Sequence, residues 1–335
     1  MKKTITSAPI LIALVIASVP GCAAETDNPF IGRWALTLPD GRAGWLGVTE
    51  EQETLDASLL WRGGSVVPVA SVYIDGDTLH LTRVSRVERN EKGEIERIRT
   101  EGIVANVSGD AMTLTRYLPD PDGKGVIKEE FTGARIPPLP PKPDLSNVRY
   151  GKPINLLKVD TLDGWTPVEP DWRNWWSVED RALINSPVQA EGEEDVRYAN
   201  LRTVAEFEDF NLKLEVNVGK GQNSGVYLRG IYEVQVEDTY GREVDSHNMG
   251  AIYSRIAPRV AAEKPPGEWQ TLDITLLDRH VTVILNGTTI IDNEPLLGCT
   301  GGALWADESR PGPIYLQGDH GPIKYRNIVL TPILE

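Results

Sequence analysis

NSGVYLRGIYEVQVED, residues 223–238, decides how this chain is read. Polar and apolar residues alternate with period two on either side of Gly230-Ile231, the pattern of two short strands joined by a tight turn. Val226 and Leu228 fall on one face and Tyr227 and Arg229 on the other. In the second run Val234 and Val236 point inward, and Glu233, Gln235 and Glu237 point outward. A hairpin with that turn sets Tyr227, Arg229, Glu233, Gln235 and Glu237 side by side on one sheet face. An ordinary solvated face mixes Lys, Thr and Ser. This one has no Lys and a single Arg among carboxylates, which favours a functional face.

The same periodicity continues outward from that hairpin. NLKLEVNV, residues 211–218, alternates as a strand. Residues 271–276 and 281–285 pair around Asp278-Arg279-His280, a turn that is expected to expose His280. Asn286-Gly287 is a type I′ hairpin signal. GPIYLQGDHGPIKYRNIVL, residues 312–330, reads as two strands around a Gly-rich turn carrying Asp319 and His320. Histidine is the side chain whose ordinary pKa lies near neutrality, and the chain has four. Ten or more short strands with no helical periodicity predict a jelly-roll β-sandwich over residues 152–333.

Upstream, IPPLPPKP at residues 136–143 carries five prolines, a polyproline spacer that sets off a linker over residues 136–151. Before it, residues 28–135 read as a small antiparallel β-barrel or sandwich. Its signals are the strand around Trp34, the Asp75-Gly76 hairpin that holds His80, and a charged hairpin over residues 89–101. Trp34, Trp45 and Trp61 are expected in the core, and His80 on the surface. The whole chain is therefore all-β, with two units.

Residues 1–21 read as a targeting segment. Lys2 and Lys3 precede an apolar run from Pro9 to Val19 that is too short to span a bilayer. Val19-Pro20-Gly21-Cys22 resembles a bacterial lipoprotein processing site, which implies lipidation at Cys22. The expected location is then the cell envelope, periplasm or outer membrane, with membrane contact through the lipid anchor only. Cys299 then has no partner and no structural disulfide is expected. The net charge of −15 argues against nucleic acid, whose phosphates need Lys and Arg.

Residues 154–330 resemble the 3-keto-disaccharide hydrolase family. The matching pieces are Ile154-Asn155-Leu156, Asp163-Gly164-Trp165, Val178-Glu179-Asp180, Asn223 to Gly230, Tyr232 to Val236, Gly250 to Tyr253, Pro265 to Gln270, Asn286-Gly287, and Gly312 to Gln317 leading to Asp319-His320-Gly321 and Arg326-Asn327-Ile328. The resemblance implies a concanavalin-like jelly roll that cleaves glycosides already oxidised to a ketone at C3. A ketone acidifies the neighbouring C2–H, so a base can remove that proton and the C1 substituent leaves by elimination; water then adds to the enone. Such a site needs a base, an electrophile and an acid.

The catalytic candidates are His320 as base, Arg229 as fixed cation and Glu233 or Glu237 as acid. Asn223, Tyr227, Gln235, Glu237, Gln317, Asp319, Arg326 and Trp305 are candidates for holding the substrate. Carboxylates suit hard cations, so Glu233, Glu237 and His320, with Gln235, are also the candidates for holding a divalent metal. No organic cofactor is expected, because no Gly-rich phosphate loop joins a strand to a helix; the oxidation then falls to a separate sugar-oxidising oxidoreductase. The Trp-rich stretch 170–176 and the loop 299–311 depart from the family pattern. The competing readings are a non-catalytic carbohydrate-binding module and a structural surface lipoprotein, since a jelly roll serves several purposes.

Overall fold

In the computed structural model, the residues described are 28–158, 161–187 and 196–334. The expected targeting segment and Cys22 lie outside them. Within that range the chain is strands and turns, with one 3-10 turn at Leu145–Asn147.

The sandwich has two antiparallel sheets. One orders its main strands Trp176–Glu179, Ala182–Asn185, Ile323–Leu334, Phe210–Val218, Trp269–Leu277, His280–Leu285 and Thr288–Pro295, and two short strands also pair with Ile323–Leu334. The other has five strands, in the order Trp165–Pro167, Leu201–Thr203, Tyr315–Leu316, Asn223–Leu228, Tyr232–Glu237. Leu212, Leu214 and Val216 alternate along one sheet, Val226, Leu228, Val234 and Val236 along the other, and all pack into one core. Burial of each such side chain is worth roughly 1.5–3 kcal/mol, so the period-two pattern fixes which face looks inward.

The N-terminal half is a single nine-stranded antiparallel sheet rather than a closed barrel. Its edge strands, Val67–Pro68 and Ser71–Asp75, are joined only by Val69-Ala70. Val69 N–H donates to Ala57 O, and Ala70 N–H donates to Thr82 O. The sheet curls around Trp34, Leu46, Leu79, Ile103 and Met112. Trp61 is half-buried, with Arg83 and Arg116 each 4.7 Å from its ring centre. His80 stacks on Tyr73 within this sheet.

The two halves share a core. In the strand Ala43–Glu51 the first six residues are buried on both faces. Leu46 and Val48 face the N-terminal core, whereas Ala43 and Trp45 join the sandwich core, as do Leu60 and Ile136. Arg255 lies over the Trp45 ring at 4.2 Å. The proline run is fixed in place as well: the Arg279 guanidinium donates to Pro137 O at 3.1 Å and to Pro138 O. His280, expected at an exposed turn, is buried, because it already belongs to the strand and its ring bonds back to Asp278 O at 2.9 Å. Cys299 is a buried free thiol that desolvation pushes up to about 12.

Candidate active site

Asn223–Leu228 and Tyr232–Glu237 pair with Asn223 opposite Glu237, Gly225 opposite Gln235 and Tyr227 opposite Glu233. Those six positions share the face turned away from the core. Tyr315 lies beside Tyr227 in the ladder, and their rings stack at 4.2 Å. The face is not an open solvated surface: loops roof it, leaving a cleft of about 520 Å³, within the size range of small-molecule sites.

Glu233 sits on the cleft floor, 4% exposed. Gly225 makes room for it, since a Cβ there would stand 2.3 Å from Glu233 Oε1. Desolvation pushes its carboxyl up to about 8; Tyr227 pulls the other way and the Asp319 charge adds to the rise. At neutral pH Glu233 is therefore a carboxylic acid with a proton to give. The Tyr227 hydroxyl has one hydrogen and donates it to Gly301 O at 2.8 Å.

His320 and Asp319 lie in the loop after Tyr315–Leu316, which meets the Gln222 end of the strand Asn223–Leu228. His320 Nδ1 is 2.6 Å from Asp319 Oδ1, and that bond raises the imidazole pKa. With Nδ1–H held by Asp319, Nε2 is the nitrogen left to exchange a proton. The loop is anchored from two sides. Gly318 N–H donates to Asn200 Oδ1, Asn185 Nδ2 donates to Gly318 O, and Asn200 in turn binds Glu169. Burial raises the Glu169 pKa against those hydrogen bonds. The glycines flanking the pair are there for close packing: a Cβ on Gly318 would stand 2.7 Å from Ala199 O, and one on Gly321 2.2 Å from Gln222 Oε1. Gln317 lines the cleft, and its Oε1 is buried without a partner, an acceptor available to a substrate hydroxyl.

The structure thus brings Asn223, Tyr227, Glu233, Gln235, Gln317, Asp319 and His320 to one cleft. Glu237 is at its margin, bound by Arg242 at 2.8 Å and by Asn223 at 3.3 Å. Three sequence candidates are elsewhere. Arg229 has a left-handed backbone (φ 54), which breaks the alternation at the turn. Its guanidinium is buried, donating to Glu308 O at 2.7 Å and Arg310 O at 3.0 Å. Arg326 belongs to the other sheet, paired with Glu215 at 2.6 Å and stacked on Trp269. Trp305 packs on the core under Arg310, and the neighbouring Ala303 and Leu304 line the cleft in its place. The metal candidates do not form a ligand set. Among the described residues no three of His, Cys, Asp and Glu gather to hold an ion, and Glu237 is committed to Arg242.

The cleft also holds residues the sequence reading did not single out. Tyr315 follows from parity with Gln317 in the motif PIYLQ. Trp172 comes from the Trp-rich stretch, and Glu169 and Asn200 bring a second carboxylate network. Asp40, Arg42 and Arg62 come from the N-terminal half, where no local signal marked them.

The β-sandwich and its roofed polar cleft belong to a glycoside-hydrolase-like, carbohydrate-active protein, as the family match shows. Residues 152–331 match the 3-keto-alpha-glucoside-1,2-lyase-like domain, and the chain belongs to that family. Similar solved structures include a Parabacteroides distasonis ATCC 8503 protein described as a glycosyl hydrolase, 28% identical, covering 58% of this chain and 92% of that one, with TM-score 0.42. A second from the same organism is 25% identical, covering 54% and 100%, with TM-score 0.40. A carbohydrate-binding module from Bacillus subtilis is 14% identical, covering 49% and 93%, with TM-score 0.31. No curated protein matches the chain.

Proposed function

We propose that this protein cleaves 3-keto-glycosides by elimination followed by hydration. The observation that carries the reading is the buried neutral Glu233 in the same cleft as the Asp319-held His320. His320 Nε2 takes the C2 proton, and the C2–H electron pair moves toward the C3 ketone oxygen as an enediolate. The pair returns to form the C1–C2 double bond as the C1–O bond breaks. Glu233 gives its proton to the departing oxygen. Water then adds, its hydroxyl to C1 and a proton to C2, and the two residues recover their starting states. The Gln317 amide offers donor and acceptor to a sugar oxygen. No oxocarbenium ion is required, so the carboxylate spacing of ordinary glycosidases does not apply.

Incubation with a 3-keto-glucoside and with its unoxidised parent tests this. Release of the leaving group from the keto form alone supports the reading; binding of the parent without turnover of either form overturns it in favour of a binding module. On this reading a separate oxidoreductase supplies the ketone. The chain works in the cell envelope, tethered through Cys22, which incorporation of labelled fatty acid into the wild type and its absence from Cys22→Ser would test.

A further inference from the structure

The charged lining of the cleft divides by origin. The sandwich contributes Glu169, Glu233, Asp319 and His320, whereas both guanidinium groups on the lining, Arg42 and Arg62, come from the N-terminal sheet. Asp40 holds the pair: its Oδ2 is 2.8 Å from Arg62 Nε and 3.6 Å from Arg42 Nε. Arg62 has a left-handed backbone, φ 68, which turns the hairpin tip toward the sandwich.

That tip is docked rather than free. Gly301 lies so close to Gly64 that a Cβ on it would stand 2.2 Å from Gly64 O. Gly302 N–H donates to Arg62 O at 3.3 Å. Next along the hairpin, Ser65 Oγ is 2.9 Å from His247 Nε2, and Val66 N–H donates to Ser254 Oγ at 3.0 Å. Gly302 abuts Tyr227 on its other side, where a Cβ would meet the hydroxyl at 2.6 Å. The N-terminal tip is therefore stacked through Gly301-Gly302 onto Tyr227, the cross-strand partner of Glu233. The His320 loop abuts the opposite end of the strand, through Gly321 against Gln222. At roughly 3.3 Å per residue, Gln222 and Tyr227 are about 16 Å apart. A sugar ring attacked by His320 and protonated on its leaving oxygen by Glu233 thus directs its leaving group toward the N-terminal tip.

We propose that residues 40–43 and 62–64 form the leaving-group subsite, with Arg42 and Arg62 as specificity-determining residues for a hydroxyl-rich leaving group. Planar guanidinium forks beside a carboxylate supply both the donors and the acceptor that vicinal diols need, and Asp40 offsets one of the two positive charges. This inference rests on Glu233 being the acid of the proposed reaction, and it gives the N-terminal sheet a part in substrate choice.

The test compares two substrates with the same oxidised ring: methyl 3-keto-glucoside, and a 3-keto-glucosyl-glucose whose leaving group is a second sugar. In Arg42→Ala/Arg62→Ala the preference for the second over the first in kcat/KM should fall about tenfold or more, the change expected on losing charge-assisted hydrogen bonds. The effect should appear in KM for the disaccharide. Arg62→Lys should restore only part of it. An unchanged preference in the double variant, with the wild type active on both ketones, overturns the subsite alone. A wild type that turns over neither ketone overturns the proposed reaction and the subsite with it.

Discussion

Glu233 is a carboxyl that the fold keeps neutral, and its opposing demands on stability and reactivity can be separated. As the acid it must be protonated, so activity should fall as pH rises past about 8. As the base His320 must be deprotonated, so activity should rise with pH through its raised pKa. The expected kcat/KM profile is a bell whose alkaline limb lies near pH 8. Glu233→Gln should lower turnover by about 10² to 10⁴-fold, and its residual activity should lack that limb. His320→Ala should cost as much while leaving the melting temperature near that of the wild type, because the side chain is half exposed. For stability the sign follows from the raised pKa. The folded state holds the Glu233 proton more tightly than the unfolded chain, so this stabilisation is present below the ordinary glutamate pKa and is lost as pH rises through about 8. Melting temperatures from pH 5 to pH 9 should therefore decline less steeply in Glu233→Gln than in the wild type. Gly225→Ala places a methyl against the carboxyl and should reduce activity at least tenfold with the fold intact by circular dichroism.

The hairpin of residues 223–237 shows how far an element can be read from its own residues. Period two put Tyr227, Glu233 and Gln235 on one face, and the ladder register pairs them as that alternation requires. It also put Arg229 there, and this failed at a single dihedral. A left-handed residue at the turn ends the alternation, and the guanidinium goes instead to carbonyls of residues 308 and 310. Sequence spacing says nothing about those partners, which lie some eighty positions away. Gly318 and Gly321, in the Gly-rich turn around Asp319-His320, stand close to Ala199, Trp176 and Gln222 of the supporting structure. Asn200 binds both Gly318 and Glu169, so it links the two cleft networks although its local sequence is unremarkable in pattern. Asn200→Ala should leave the strands in place but loosen the 318–321 loop. The expected result is a kcat loss with a shifted acid limb, as His320 loses its fixed position, and a pH profile would separate this from a general loss of folded enzyme.

At the scale of the whole molecule the proline run reads as a spacer between two units, and side chains of both units pack into one core. The prolines have no backbone donors, but their carbonyls can accept, and Arg279 donates to two of them. The strand Ala43–Glu51 then serves both cores at once: Leu46 faces one and Trp45 the other. Period-two reading sees that alternation but cannot tell a second buried face from a solvated one, because what buries Trp45 lies more than two hundred residues on, at Arg255 and Gly298. Two units sharing buried side chains should melt together, so calorimetry on the intact chain should show one cooperative transition. Trp45→Ala removes a large buried ring, a change that costs about 3–5 kcal/mol in a well-packed site. The loss falls on the joint between the units rather than inside either one. The variant should therefore melt in two resolved steps, and the cleft wall formed by residues 40–43 and 62–64 should open before the sandwich unfolds. A lower melting temperature with a single sharp transition would show instead that the other contacts across the joint suffice to keep the halves coupled.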